Sequence, residues 1–245
     1  MKQLTFAAAL LAATTFAPTA FAQDSDVSVA TGFDFVSQYV FRGASLADDA
    51  IQPYAEVSVG NFTVGGWFST AIGDDSAVAG DEFDLYAGYS VPLEGSISLD
   101  LGATYYHYPQ GGDFFGTDNG GTGSYEVSAS VGFGDVPLEP SVSVYYDLTL
   151  EAFTLEGGVG HSVPVGDAQS FDLGLTVGLV DGDGFSYEWA TASAALSHAF
   201  TDDVSVYAGA NFALNSEDVL DFNGIINGEP EGSLFWLGTG ISAGF

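Results

Sequence analysis

Two kinds of residue in this chain could do chemistry: a large set of carboxylates and one internal arginine. The 245 residues include 33 Asp and Glu against two Lys and Arg, and the formal net charge is −31. The two basic residues are Lys2 and Arg42, the latter in the segment YVFRGASL. A guanidinium can bridge two carboxylate oxygens through its planar fork of donors, which an ammonium does less well. The sequence therefore predicts a structural ion pair at Arg42. The alternative is an exposed arginine that contributes about 0 to 1 kcal/mol.

The acidic charge balance excludes two classes of partner. A chain with so few basic residues cannot neutralise phosphates or release counterions, so nucleic acid is excluded. A basic patch that docks on anionic lipid is excluded for the same reason. The chain contains no cysteine, so neither disulfides nor cysteine metal ligands hold its fold.

Neither the histidines nor the short acidic motifs predict an enzyme or a metal site. His107, His161 and His198 are the three histidines, and none lies in a recognisable nucleophile context. The segment DGDG at 181–184 resembles the start of a calcium loop but lacks the full ligand spacing with its closing Glu. We therefore expect no enzyme activity, no cofactor and no specific metal site. Loose binding of divalent cations by acidic loops stays open.

The first 22 residues read as a secretory signal peptide that is removed. The segment MKQLTFAAALLAATTFAPTAFA has one lysine, an apolar run, and small residues around Ala22 that suit cleavage. The apolar run is shorter than the roughly 20 residues of a membrane-spanning helix. Residues 23–245 are then the mature protein, which we expect to form a single domain.

From Val27 onward the apolar residues recur with a period of two, which predicts β-strands. In 62–69, for example, Phe and Val alternate with Thr, Gly, Trp and Ser. The pattern predicts twelve strands, at about residues 27–43, 50–59, 62–72, 82–90, 96–106, 122–133, 140–147, 153–162, 170–180, 187–199, 204–213 and 234–245.

The connections between these strands favour a membrane barrel over a soluble sandwich. Short connections mostly alternate with longer ones, as do the periplasmic turns and outer loops of outer-membrane barrels. In lipid a sheet must close to pair every backbone group. The predicted fold is an all-β, transmembrane, antiparallel up-and-down β-barrel in the outer membrane of a Gram-negative bacterium. Its last strand ends on Phe245, which predicts recognition by the outer-membrane assembly machinery.

Three segments resemble one known family. YVFRGASL, IQPYAEVSVGNFTVGGWFST and EFDLYAGYSVPLEGSISLDLGATYYHYPQGG are similar to the TorF-type (Gcw_chp) porins, over about residues 27–112. In that family an aromatic-Arg-Gly-x-Ser segment follows the first strand, and a DLYAGY … YYxYP segment forms the fourth and fifth. Leu46 departs from the polar residue expected there, and lysine is nearly absent. The resemblance implies an outer-membrane barrel with a channel role.

Continuing the alternation of the first strand places Tyr39 and Phe41 toward lipid, in the outer aromatic girdle. Arg42 then points into the outer mouth of the lumen. Its expected carboxylate partners are Asp48 or Asp49 in the following loop, or Glu229 or Glu231 before the last strand.

The same alternation predicts an acidic, hydrated lumen. Charges without cationic partners must meet water, because a buried unpaired charge costs several kcal/mol. Such a lumen concentrates cations, so the predicted function is passive diffusion of small hydrophilic solutes with cation preference. The predicted pore-lining residues are Asp34, Arg42, Glu56, Asp84, Asp100, Glu126, Glu156 and Asp172.

Other functions remain open. Twelve strands give a bore between the closed eight-stranded barrels and the wide 16-stranded porins, so the long fifth or eleventh connection could plug it. The alternatives are a closed structural barrel, a receptor or adhesive barrel that acts through its loops, and an outer-membrane lipid enzyme.

Overall fold

The computed structural model describes residues 27–72, 80–117, 122–216 and 232–245. None of the helical structure within these ranges is long and apolar enough to cross a membrane. The described residues are almost entirely β-structure. The strands are β1 Val27–Val36, β2 Tyr39–Phe41, β3 Ala44–Ala47, β4 Ala50–Val59, β5 Phe62–Ala71, β6 Glu82–Val91, β7 Ile97–His107, β8 Ser124–Phe133, β9 Ser141–Asp147, β10 Ala152–Pro164, β11 Gln169–Gly182, β12 Phe185–Ala199, β13 Val204–Asn215 and β14 Ser233–Gly244, and a short 3-10 turn spans Pro109–Gly111.

Twelve of these strands form one closed antiparallel barrel in chain order, and β2 and β3 form a separate two-stranded sheet. Closure occurs at β1, which pairs with β4 from Val27↔Val59 onward and with β14 from Ala30↔Gly244 onward. A closed sheet has no edge with unpaired backbone groups. The predicted fold class and the number of barrel strands are confirmed.

The barrel wall has an apolar outer face because outward and inward side chains alternate. In β1, Phe33 and Phe35 are exposed, and Asp34 and Val36 between them are buried. Exposed aromatic residues lie near both ends of the wall. The end with the 60–61, 92–96 and 165–168 connections, here called the turn end, carries Phe62, Phe171 and Phe200; the opposite loop end carries Tyr125, Phe153 and Phe235.

The first connection, residues 37–49, folds into the barrel as a hairpin, here called the inner hairpin. Tyr39 and Val40 are buried in one apolar cluster with Trp67 of β5 and Trp236 of β14. The predicted first strand, 27–43, is therefore too long, because β1 ends at Val36. At that point the Ser37 amide donates to the Leu237 carbonyl and the Ser37 hydroxyl accepts from the Leu237 amide. Beyond Ser37 the chain leaves the wall.

This turn corrects the predicted positions of Tyr39 and Phe41. Tyr39 is buried inside the barrel, and Phe41 packs against the same apolar cluster, so neither belongs to an outer aromatic girdle. The fifth connection contacts both faces of the wall, since its Tyr108 donates to the inward-facing Glu82. Its Phe114 packs against Phe83 and Tyr105, whose side chains are on the outer face of the wall. Most of the eleventh connection lies outside the described residues.

Candidate functional site

The tip of the inner hairpin is a two-residue turn made by Arg42 and Gly43. Phe41 pairs with Ala44 across it, and the φ angles are 48° at Arg42 and 76° at Gly43. Two-residue turns with positive φ at both positions match the twist of a hairpin and favour Asn-Gly. Arginine in this conformation carries a steric cost, so contacts of its side chain must hold it there.

Arg42 crosses the lumen and forms a bidentate ion pair with Glu126 of β8. Its Nη1 donates to Glu126 Oε2 at 2.7 Å and its Nη2 to Oε1 at 2.9 Å. The two side chains are only 7% and 6% exposed. The predicted ion pair is present, but on a carboxylate that was expected to line the lumen and not to bind Arg42. Glu229 and Glu231, two of the expected partners, lie outside the described residues.

Further wall residues surround the guanidinium. Its carbon lies 4.4 Å from the centre of the Tyr145 ring of β9 and 4.7 Å from that of Phe41, which are cation–π distances. Thr154 of β10 accepts a long hydrogen bond of 3.4 Å from Nη1. Burial alone would lower the pKa of Arg42, but the Glu126 carboxylate outweighs that effect and raises the pKa above its usual value. The arginine therefore stays charged.

Two other strands hold the backbone of the tip. The Asn215 amide of β13 donates to the Gly43 carbonyl at 2.8 Å. Trp189 of β12 lies so close to Gly43 that a Cβ there would collide with the tryptophan side chain. Glycine is thus required by the space as well as by the positive φ.

The base of the hairpin is attached to β5 and β6. The Tyr39 hydroxyl donates to Glu82 Oε2 of β6 at 3.0 Å, and its ring lies 5.4 Å from that of Trp67. Tyr108 donates to the other oxygen of Glu82 at 3.2 Å. The inner hairpin consequently spans the loop-end half of the barrel from β5 and β6 to β8, β9 and β10.

The predicted lumenal carboxylates all lie on the inward side of their strands, and most bind a neighbouring hydroxyl. Asp34 accepts from Tyr207, Glu56 from Tyr86 at 3.0 Å, and Asp100 from Ser90 at 2.6 Å. Asp172, near the turn end, accepts from three serines, Ser162, Ser170 and Ser197. Of the predicted site residues, Arg42 and Glu126 are in contact. Asp100 and Asp172 lie nearer the turn end, away from that ion pair. Their role as pore-lining residues stays a prediction.

Asp84 is the unusual member of this set. It is 3% exposed, and its Oδ1 has no hydrogen-bond partner among the described residues. Arg42 Nε and Asn211 Oδ1 are also buried without a partner there. Nothing among the described residues forms a cluster of three side chains placed to hold a metal ion. The described part of the interior therefore places several carboxylates around one arginine.

The turn-end half of the interior is lined mostly by small polar side chains. Ser58 and Thr63 face each other there at 2.7 Å, Ser130 and Ser143 at 2.7 Å, and Ser205 and Ser242 at 2.8 Å. The interior thus has two zones: a loop-end half filled by the inner hairpin and large aromatic residues, and a turn-end half with short polar side chains.

The family of this chain is identified by a match to a family model, since the geometry of the site does not identify it. The family model is described as a bacterial protein of unknown function (Gcw_chp), and it matches residues 20–168, more than half of the chain. The chain belongs to the Gcw_chp family. The family named from the sequence motifs is confirmed, whereas the TorF label stays a prediction. No curated protein matches this Gcw_chp chain.

Two solved structures share the fold of this Gcw_chp protein. A NanC porin structure superposes with a TM-score of 0.54 at 15% identity, covering 89% of this chain and 98% of its own. The KdgM porin superposes with a TM-score of 0.55 at 10% identity, covering 89% and 99%. At these identities the likeness shows the barrel fold alone.

The inner hairpin and its contacts were missed from the sequence of this Gcw_chp protein. The signal that could have revealed them is the Arg-Gly pair between YVF and ASL, which reads as a two-residue hairpin turn if arginine is allowed at a positive φ. The hydrogen bonds from Tyr39 to Glu82 and from Arg42 to Glu126 depend on long-range packing. No local sequence pattern indicates them.

Proposed function

We propose that this protein is an outer-membrane porin of a Gram-negative bacterium that lets small hydrophilic solutes diffuse passively and prefers cations. The observation that carries the proposal is the contrast between the two faces of the barrel wall. The outer face is apolar, with aromatic residues at both ends, and the interior holds Arg42 and a set of carboxylates. An apolar band between aromatic girdles suits lipid, and an acidic, water-filled interior attracts cations.

Export and orientation follow from the same proposal. The signal peptide of residues 1–22 would direct the chain to the periplasm, and the strand ending at Phe245 would be recognised by the assembly machinery. The short connections of the turn end would then face the periplasm, and the loop end would face outward. Fractionation of cells should recover the processed chain in the outer membrane. Recovery as a soluble periplasmic protein would contradict the proposal.

Single-channel recording in planar bilayers tests the transport. We expect discrete conductance steps, and a reversal potential in a potassium chloride gradient that shows cation preference. The double change Glu56→Gln and Glu156→Gln removes two interior carboxylates and should reduce that preference, because fewer fixed charges attract potassium. The matched control is Asp113→Asn, which removes an exposed carboxylate from the outer loop. Anion preference, or an equal effect of the control, would contradict a selective acidic lumen.

A closed barrel is the second candidate, and the inner hairpin is the observation that favours it. The hairpin packs against both sides of the loop-end half, where Tyr39, Val40 and Trp236 are buried. If it never moves, the bilayer recordings should show no steps from wild type or from a variant without the hairpin. Steps that appear only after the hairpin is removed would identify a barrel that the hairpin obstructs.

A further inference from the structure

The tip of the inner hairpin inserts a guanidinium into a site that the wall itself builds. Glu126, Tyr145 and Thr154 come from the adjacent strands β8, β9 and β10. The carboxylate takes both outer nitrogens of Arg42, the aromatic ring covers the cation, and the hydroxyl accepts a third hydrogen bond. A carboxylate that binds bidentately and an aromatic face are the groups that recognise guanidinium ions in proteins.

The wall side of this site does not depend on the hairpin for its position. Glu126 Oε1 also accepts a hydrogen bond from Tyr106 of β7 at 3.0 Å. Tyr145 belongs to the regular strand β9, which pairs with β10 at Thr154. The carboxylate, ring and hydroxyl would therefore keep their places if Arg42 withdrew.

Arg42 is an imperfect occupant of the site. Its φ of 48° is unfavourable for a residue with a side chain, and its Nε is buried with no hydrogen-bond partner among the described residues. Asp84 Oδ1 is likewise buried without a hydrogen-bond partner among the described residues. Arg42 therefore fills the site with one of its own donors unpaired.

The two ends of the hairpin are held by different interactions. The base is anchored by apolar packing of Tyr39, Val40 and Ala47. The tip is held by polar contacts, from Arg42 to Glu126 and from Asn215 to Gly43. A competing cation can replace the contact of Arg42 with Glu126 but not the apolar packing of the base.

We propose that Glu126, Tyr145 and Thr154 form a guanidinium site that binds small guanidinium-bearing solutes, and that Arg42 is its built-in occupant. A solute that takes the site displaces Arg42 and releases the hairpin tip from the lumen. The release step rests on the proposed channel function, whereas binding at the site does not.

The test variant is Arg42→Asn in the full chain. Asparagine adopts positive φ readily, and Asn-Gly is the favoured sequence for this turn, so the change removes the guanidinium while keeping the hairpin. Arg42→Gly is a second variant compatible with the same backbone. Folding of each is verified by the heat-dependent shift in gel mobility that closed barrels show in detergent.

Binding is measured with methylguanidinium as the probe, as the change in thermal unfolding temperature in detergent, against potassium at equal ionic strength. We expect the probe to stabilise Arg42→Asn more than wild type, whose site is filled. Adding Glu126→Gln to that variant should abolish the effect. Adding Asp113→Asn, which removes an exposed carboxylate outside the site, should leave it unchanged. No stabilisation of Arg42→Asn, or equal stabilisation with and without Glu126, would overturn the site.

Release of the tip is measured separately in planar bilayers. Arg42→Asn should conduct several-fold more than wild type, and methylguanidinium should raise the conductance of wild type. Binding without either change in conductance would overturn the release step. If no variant carries current, the channel function fails, and the unfolding shift still decides whether the guanidinium site exists.

Discussion

Gly43 is the residue at which backbone and packing demands coincide. Its φ is 76°, and a Cβ would collide with Trp189. Gly60, in the β4–β5 turn, has a similar φ of 58° but nothing within 4 Å of a Cβ. The two glycines therefore separate the cost of the turn conformation from the cost of the contact.

Gly43→Ala is expected to destabilise the protein more than Gly60→Ala. The positive φ costs about 1–2 kcal/mol in either variant, and overpacking against Trp189 adds about 1–3 kcal/mol in Gly43→Ala alone. Urea unfolding in detergent, followed by tryptophan fluorescence, measures both. Equal losses would show that Trp189 moves aside freely.

Tyr39→Phe tests the attachment of the hairpin base. The change removes the 3.0 Å hydrogen bond to Glu82, which then keeps only the bond from Tyr108 among those seen here. A buried polar group that loses a hydrogen-bond partner costs about 1–3 kcal/mol, so we expect a loss of that size in unfolding free energy. Tyr89→Phe is the control, because Tyr89 lies on the outer wall against Phe62. A loss no greater than that of the control would rule out a stabilising role for the bond.

The carboxylates could be assigned to the interior from the sequence, but the partner of Arg42 could not. Asp34 and Glu56 follow the period of two, and closure of the sheet turns one face inward. The bond from Arg42 to Glu126 joins residues 84 positions apart. This bond depends on the position of the hairpin tip, which is set by the packing of Val40 against the cluster that contains Trp236.

At the scale of the strands, alternation predicted most elements because each wall strand separates an apolar from a polar surface. The prediction failed at the end of β1. There, apolar residues continue through Tyr39, Val40 and Phe41, and a buried hairpin has the same composition as a strand that faces lipid. Periodicity cannot distinguish these environments, since both require apolar side chains.

Leu175→Lys and Thr176→Lys test the two faces of β11 at neighbouring positions. Leu175 is 46% exposed on the outer wall, and Thr176 points inward. Lysine on the lipid side of a barrel costs about 2–4 kcal/mol near the middle of the bilayer. We expect Leu175→Lys to lose stability on this scale in lipid vesicles, whereas Thr176→Lys should lose much less because it meets water and carboxylates. Equal losses would contradict a lipid-facing outer wall.

At the scale of the whole molecule, charge and fold act on different steps. In the proposed porin, the closed barrel would provide the path through lipid, and the inner hairpin would narrow its loop-end half. The net charge of −31 would act on the proposed transport by attracting cations to the barrel. The fold was predictable because closing the sheet pairs the backbone groups of every wall strand. The narrowing of the lumen was not predictable, because it depends on the packing of one connection, the inner hairpin.

Cation preference should therefore weaken as salt rises. Attraction by fixed carboxylates is screened over a Debye length of about 10 Å at 0.1 M salt and about 3 Å at 1 M. In the turn-end half, Asp100 and Asp172 accept hydrogen bonds from neighbouring serines such as Ser90 and Ser197, so we expect ions there to interact with them through water. Reversal potentials measured at a constant concentration ratio should yield a potassium-to-chloride permeability ratio that falls toward one as both solutions are concentrated. A ratio that does not change with salt would mean that selection occurs by direct contact in the narrow loop-end half. In that case Glu126→Gln, and not Asp172→Asn, should remove it.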